Sequence, residues 1–484
     1  MPPSRLWLQL FERQAGQGLG RREQLCASLR AAMRAGELGL GERLPASRVL
    51  AADLGLSRVT VEAAYAQLEA EGYMRREVGR GSFVAITLKA GGGGARRAPH
   101  LALAQAALSR RGERIAQGGG CNDPRQPQAF AAGSPELRAF PIALWRLLTN
   151  KRLRQQPGLL GYGDPQGHEE LRSAIAGYLN QSRGLRCRAE QVLVLTSSQQ
   201  ALQLLAGMLL DDGDTLWMEE PGYRGARTAF AAAGARVLPV PVDSEGLRPA
   251  AGLPAPRLIY LTPSHQYPCG VALSLARRLA LLALAQQAGA WIVEDDYDSE
   301  FHYEGKPMPA LQGLDEQGRV IYVGTFSKTL FPSLRLAYMV LPEALVPALV
   351  TARNIHDGHS AQLAQAVTAD FITQGHFAAH LRLMRQLYRQ RREVLLQACH
   401  QHLTPWLHPQ PSAGGLQLAA LLPAGEEARW TRAAAALGVL TPSLRALYDE
   451  PHGPAAQDGW LLGYAALTPA EILAGVGSLA RLRP

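Results

Sequence analysis

Val320-Ile321-Tyr322-Val323-Gly324-Thr325-Phe326-Ser327-Lys328 is the stretch whose reading decides the fold. Four apolar or aromatic residues make a short buried strand, and a Gly/Thr/Ser loop ending in lysine follows. The 484-residue chain holds only four lysines (Lys89, Lys151, Lys306 and Lys328) beside 46 arginines. A lysine retained at a strand end, in an otherwise uncharged loop of so arginine-rich a chain, points to amine chemistry. A guanidinium stays protonated and forms no imine with an aldehyde, whereas an amine does. A lone loop lysine is ordinarily a surface residue, so its surroundings must decide.

Upstream, Trp291-Ile292-Val293 runs into Glu294-Asp295-Asp296-Tyr297-Asp298. In an extended segment Asp295 and Tyr297 point to one face. A carboxylate there holds a pyridinium nitrogen protonated, and a phenol bonds the ring's 3′ oxygen, which is the donor set pyridoxal phosphate needs. An acidic turn is the plainer reading, but it leaves an apolar strand ending in five polar residues unexplained. Thr325 and Ser327 offer hydroxyls to the phosphate, and Arg335 adds a forked, charge-assisted contact. Leu195-Thr196-Ser197-Ser198-Gln199-Gln200 ends another strand and opens a helix whose first amides suit a phosphate. Thr262-Pro263-Ser264-His265-Gln266-Tyr267-Pro268-Cys269-Gly270 supplies a further cofactor edge, and Glu220-Pro221-Gly222-Tyr223 presents a ring to stack on the pyridine.

Working outward, short apolar runs at 191–195, 215–218, 236–240, 258–261, 291–294 and 320–323 alternate with helical stretches. This predicts a mostly parallel sheet covered on both faces, with ligands at the carboxyl ends of its strands.

The first ninety residues follow a different plan. Leu25, Leu29, Ala32 and Met33 repeat at helical spacing; Gly39, Gly41 and Pro45 make a turn; a second helix spans 47–54. Gly55-Leu56-Ser57 is a tight turn in which Ser57 caps a third helix over 58–71. Residues 73–84 alternate and turn at Gly79-Arg80-Gly81, as a hairpin does. The pattern predicts a winged helix-turn-helix, with Ser57, Arg58 and Thr60 facing base edges, Arg48 on phosphate and Arg80 at the wing tip. The plainer alternative is a helical subdomain with surface arginines.

Charge separates the two parts. Residues 1–120 hold 18 Lys or Arg against 10 Asp or Glu, and 121–484 hold 32 against 31. The excess sits where a polyanion such as an operator in double-stranded DNA would be met. Between the parts, Gly91–Gly94, Arg96-Arg97, Arg110-Arg111 and Gly118–Gly120 read as a flexible basic tether, with a short helix conceivable at 101–108. The expected division is therefore 1–88, 89–120 and 121–484.

Five scattered cysteines (Cys26, Cys121, Cys187, Cys269, Cys399), none in Cys-x-x-Cys, argue against a disulfide framework or a zinc site. Absence of a signal-like start or a membrane-length apolar run gives a cytoplasmic expectation.

The words of the sequence sharpen this. Arg43-Leu44-Pro45-Ala46-Ser47-Arg48, Leu54-Gly55-Leu56-Ser57-Arg58-Val59-Thr60-Val61, Glu71-Gly72-Tyr73 and Gly79-Arg80-Gly81-Ser82-Phe83-Val84 closely resemble the GntR family of bacterial repressors over 23–86. One departure precedes it: Trp7-Leu8-Gln9-Leu10-Phe11, then a glycine-bearing stretch of open purpose. Residues 135–480 resemble fold-type I aminotransferases, and the two together look like the MocR subfamily. The resemblance implies an α/β fold with a smaller C-terminal α+β subdomain behind the winged helix. It implies Lys328 in an internal aldimine, Asp295 on the pyridine nitrogen, Tyr297 on the 3′ oxygen and Tyr223 on the ring. It also places Ser198, Gln199, Ser327 and Arg335 around the phosphate, with His265 and Tyr267 at the cofactor's edge. Tyr162, in Tyr162-Gly163-Asp164-Pro165, would reach a partner subunit's phosphate, implying a homodimer. Arg445, in Ser443-Leu444-Arg445, falls where the family places an arginine for an effector's carboxylate. A regulator that senses pyridoxal phosphate or an amino compound is the expectation; an active aminotransferase is the alternative.

Overall fold

The architecture comes from a computed structural model describing residues 3–14, 18–86, 108–119, 129–305, 308–410 and 412–482. The chain divides into two units, Met1–Ala107 and Leu108–Pro484.

In the first unit, helices α1 (Pro3–Glu12), α2 (Arg21–Arg34), α3 (Ser47–Leu54) and α4 (Arg58–Ala70) surround one core, with strands β1 (Arg43–Leu44), β2 (Met74–Glu77) and β3 (Gly81–Val84). The helical repeat read from the sequence is buried as a stripe: Leu25, Leu29 and Met33 meet Leu50, Val61, Tyr65 and Leu68. Gly55 takes φ +61° between α3 and α4, and Ser57 Oγ accepts from the Thr60 amide at 3.1 Å. The wing has a third strand that the sequence did not suggest: β1 pairs with β3, which pairs with β2, all antiparallel. The extension of open purpose is also explained. Trp7, Leu10 and Phe11 of α1 join the same core, and Gln24 Nε2 donates to Phe11 O at 3.0 Å.

The second unit begins with α5 (Arg110–Gly118), α6 (Ile142–Gln155) and α7 (Glu169–Ser182). Then come β4 (Val192–Leu195), α8 (Ser198–Leu209), β5 (Thr215–Glu220), α9 (Arg224–Ala232), β6 (Arg236–Asp243), β7 (Gly246–Leu247), β8 (Leu258–Leu261), α10 (Leu275–Ala288), β9 (Trp291–Asp296), β10 (Val320–Thr325) and β11 (Ala337–Val340). These strands form one sheet in the order β4-β11-β10-β9-β8-β5-β6-β7. From β10 through β6 every pairing is parallel, whereas β11 runs against both β10 and β4. Because β11 reverses, β4 again points the same way as β10, and its carboxyl end joins the others.

Helices α11 (Val346–Asp357), α12 (Gln362–Thr373) and α13 (His376–His402) lead to the C-terminal part. There β12 (His408–Gln410), β13 (Gln417–Leu421), α14 (Glu427–Ala436), β14 (Gly459–Gly463) and α15 (Pro469–Leu479) make a three-stranded antiparallel sheet with helices. No helix among the described residues is long and apolar enough to cross a membrane.

The end of the expected tether lies with the large unit. Ser109 caps α5, Arg114 pairs with Asp212 at 2.7 Å, and Thr228 Oγ1 of α9 donates to Gly118 O at 3.4 Å. A boundary at 120/121 therefore falls too late, since the second unit starts at Leu108. The glycine run Gly91–Gly94 and most of the helix conceived at 101–108 lie outside the described residues.

Candidate functional site

Alternation along β9 sorts its acidic residues. Glu294 and Asp296 face away from the site: Glu294 accepts from the Leu311 and Gln312 amides, and Asp296 is paired with Arg183 at 3.0 Å and bonded by Tyr322 OH at 2.7 Å. Asp295 and Tyr297 face the other way, into a cavity of about 600 Å³ that also holds Lys328. The cavity sits at the carboxyl ends of β5, β8, β9 and β10 and at the N-terminus of α8, as a parallel sheet requires.

Lys328 Nζ donates to Gly133 O at 2.7 Å. Gly133 has φ +75°, a conformation that favours glycine, and a Cβ there would stand 3.0 Å from that nitrogen, so a side chain would crowd the amine. Asp295 accepts from Tyr260 OH at 2.7 Å, and burial pushes its carboxyl up to about 7. The neighbouring Glu219, bonded by Thr262 Oγ1 at 2.6 Å and by the Thr262 amide, is likewise pushed up to about 7 by burial.

On the opposite side of the cavity stand Ser197, Ser198, Gln199, Ser327 and Arg335. Ser197 caps α8 by accepting from the Gln200 amide. Arg335 adopts a left-handed conformation, φ +53°, uncommon for a residue with a side chain, and its guanidinium makes no hydrogen bond or ion pair among the described residues. Tyr223 and Tyr267 line the cavity edge to face, with ring centroids 5.6 Å apart.

This donor set fits pyridoxal phosphate. A buried acid lacking a cation suits a pyridine nitrogen; an amine sits across a glycine-cleared gap; a helix N-terminus with hydroxyls and an unpaired guanidinium suits a phosphate.

Three expected residues stand elsewhere. His265 lies behind the cavity wall: Tyr297 OH and the Asp298 carboxylate meet its Nδ1 at 3.1 Å, and Ser412 Oγ meets its Nε2. There it meets Tyr297, which does line the cavity. Tyr162 is fully exposed, edge-on to His359, and outside this cavity. Arg445 belongs to a separate pocket beside α14, where Nε donates to Pro451 O at 2.9 Å and Nη2 to Ala456 O at 3.0 Å. Those carbonyls and Asp458 hold the guanidinium locally, in a pocket separate from the one that holds Lys328. Gln199 also differs in detail: its Nε2 donates to Gly225 O, leaving its backbone amide for the phosphate side.

Tyr260, Gly133 and Gln417 were not found from the sequence. A tyrosine in an aliphatic strand was a signal for the first, and a glutamine opening the apolar Gln417-Leu418-Ala419-Ala420-Leu421 for the last. Cys269 is a half-buried thiol, pushed up to about 12 by desolvation.

In the first unit, Arg48, Ser57 and Arg58 are exposed and Thr60 is half-buried, with its Oγ1 2.8 Å from Ser57 Oγ. Arg80 at the wing tip is exposed and paired with Glu77 at 2.8 Å. Val59 at the start of α4 and Val78 in the wing are exposed apolar residues.

Residues 21–84 match the family model "Bacterial regulatory proteins, gntR family", and residues 133–448 match "Aminotransferase class I and II". The chain is a MocR-type member of the GntR regulators. It is 43% identical over 466 residues to the probable rhizopine catabolism regulatory protein MocR of Rhizobium meliloti, covering 94% of this chain and 92% of that one. It is 33% identical to the transcriptional regulator TauR of Rhodobacter capsulatus, over 91% and 92% of the two chains. Among solved structures, α-aminoadipate aminotransferase LysN of Thermus thermophilus superposes with a TM-score of 0.68 at 30% identity, covering 77% of this chain and 94% of that one. Like these regulators, the MocR-type chain joins a DNA-binding head to an aminotransferase fold, and it is a transcription regulator.

Proposed function

We propose that this regulator holds pyridoxal phosphate at Lys328 and adjusts its DNA binding when an amine, or the cofactor itself, occupies that pocket. The observation that carries the reading is the convergence of Lys328, Asp295 and Tyr297 on one cavity in a chain that begins with a helix-turn-helix.

When bound, the cofactor supplies an aldehyde carbon at which one amine can replace another. The chain's own residues do the rest. Lys328 Nζ, held by Gly133 O, is the attachment point. Asp295 keeps a proton on the ring nitrogen, its charge supported by Tyr260 OH. Tyr297, oriented by His265, donates toward the ring's 3′ oxygen. Ser198, Ser327, Arg335 and the α8 amides, which line the cavity, would take the phosphate, Tyr223 would stack on the ring, and Tyr267 would close the edge. In a homodimer Tyr162 would complete the partner's site; exposed Ile142, Leu147, Leu160 and Ile355 support such an association.

On the DNA side, Arg58, Ser57 and Thr60 at the start of α4 face base edges, Val59 suits a thymine methyl, and Arg48 and Arg80 hold phosphates. Occupancy acts by favouring one conformational state over another, which needs only differential affinity.

Footprinting upstream DNA with the full chain, with and without added amines, tests the reading. A footprint that changes with amine in the wild type but not in Lys328→Ala supports it. Sustained keto-acid formation from an amino donor, with an amine-independent footprint, supports the aminotransferase reading instead.

A further inference from the structure

The effector half of the pocket has no cation of its own. Lys328 and Arg335 are the positively charged residues among those lining the cavity, and the first is the attachment point while the second stands on the phosphate side. The wall facing the gap beside Lys328 is made by Ala132, Gly133, Leu416, Gln417, Leu440 and Pro442. Behind it, Ala132 and Tyr267 pack on the apolar cluster of Ala419, Leu444 and Leu461. The arginine expected to meet a carboxylate, Arg445, is bound to local carbonyls in a different pocket. The remaining charge on the lining besides Asp295 is Asp298, also an acid. A carboxylate placed here would lose its water with nothing to pair it, against like charge.

One polar group does await a partner. Gln417 is 4% exposed, and its Oε1 is buried without a hydrogen bond. A Cβ built on Gly133 would lie 3.0 Å from Lys328 Nζ and 3.8 Å from Gln417 Oε1, so the amine and the amide oxygen flank the same gap. A buried acceptor left unmet is costly, and a neutral hydroxyl or N–H satisfies it without importing charge.

We propose that the effector is a primary amine carrying neutral hydroxyl groups in place of a carboxylate, and that Gln417 selects it. This rests on the reading of the Lys328 pocket as the effector site. The same glutamine would reject amino acids, because it offers a carboxylate neither charge nor a second donor to replace lost solvation.

The test compares size-matched amines on the cofactor-loaded full chain: serinol against serine, and 3-amino-1-propanol against β-alanine. The readouts are displacement of the visible cofactor band and the change in DNA affinity. The alcohols should act at concentrations at least about tenfold below their carboxylate counterparts. At equal cofactor occupancy, Gln417→Leu should raise the concentration needed of each alcohol at least about threefold while leaving its carboxylate counterpart little changed, and Gln417→Arg should reverse the preference. If the carboxylates act at equal or lower concentration, or if none of the four amines acts on a band that depends on Lys328, the effector class is wrong. If the band survives in Lys328→Ala, the reading of the pocket itself fails, which is a separate and recognisable result.

Discussion

The DNA-binding head and the cofactor-type pocket use charge in opposite ways. In the head, Arg48, Ser57 and Arg58 stand in solvent, and even the pair formed by Arg80 is open to water. In the pocket Asp295, and beside it Glu219, are buried, each hydrogen-bonded to a neighbouring hydroxyl and pushed up to about 7. Solvated arginines suit a long polyanion, where many weak, salt-screened contacts add. Desolvated groups suit a small ligand, where a few contacts must be strong and directional. One chain thus carries a reader of charge density and a reader of chemical detail.

The sharpest way to break this contrast is at Lys328. Lys328→Ala should abolish the visible cofactor band and with it the response of DNA binding to amines, while the head keeps its fold in its own unit. Retained DNA affinity without any response is the expected pattern, read by absorbance and by titration of labelled operator. A variant that still responds would separate sensing from Lys328.

Arg58→Ala comes next and acts on the other side of the comparison. Loss of a side chain that reads base edges costs about 1–3 kcal/mol in DNA affinity, roughly five- to 150-fold. The cofactor band should be unaltered, since Arg58 lies in the first unit. If affinity falls equally for operator and random DNA, Arg58 is a phosphate contact instead.

How far each region was legible in the sequence follows from how local its determinants are. The head is written in short-range signals: the Gly55 turn, the Ser57 cap and the helical repeat of Leu25, Leu29 and Met33 are all decided within a few residues. What was not legible there, β1 and the docking of Trp7 and Phe11, depends on pairing across tens of residues. The pocket was legible at Lys328, Asp295, Tyr297 and Arg335 because strand ends of a parallel sheet converge by rule. Gly133 and Gln417 escaped because they come from distant segments that only the folded C-terminal part brings to Lys328. The surroundings of Arg445 escaped for the same reason. Its sequence context is compatible with a ligand site, but its final partners, Pro451, Ala456 and Asp458, are set by the loop that folds over it.

Acidity offers a subtler probe of the buried side. Asp295 and Glu219 are raised from ordinary carboxyl values to about 7, so the folded cofactor-free chain holds protons that the unfolded chain releases. Stability from these two groups is therefore full below about pH 4 and is lost as pH rises toward 7, the reverse of a salt-bridged carboxylate. Denaturant midpoints at pH 5 and pH 8 should show the cofactor-free protein weaker at pH 8 through these groups. Both Asp295→Asn and cofactor loading should shrink the difference, because each removes the cost of an unpaired Asp295 charge. An unchanged difference in Asp295→Asn would mean that another group carries it.

The smallest expected effect concerns how the two readers communicate. Helix α9 starts directly after Tyr223 in the pocket wall, and its Gly225 carbonyl accepts from Gln199 on the opposite lip. The same helix receives α5, the end of the tether, through Thr228, while Arg114 of α5 pairs with Asp212 nearby. A ligand that displaces Tyr223 therefore acts on the element against which the tether is docked. The Arg114–Asp212 pair is largely solvent-exposed, so Arg114→Ala should cost the large unit less than about 1 kcal/mol and leave cofactor uptake intact. Loosening the dock should instead weaken coupling by about 0.5–2 kcal/mol, so that the amine changes DNA affinity a few-fold less than in the wild type. Operator titrations with and without amine measure this as a ratio of affinities. An unaltered ratio in Arg114→Ala, and also in Thr228→Val, which removes the second contact, would show that the signal leaves the pocket by another route.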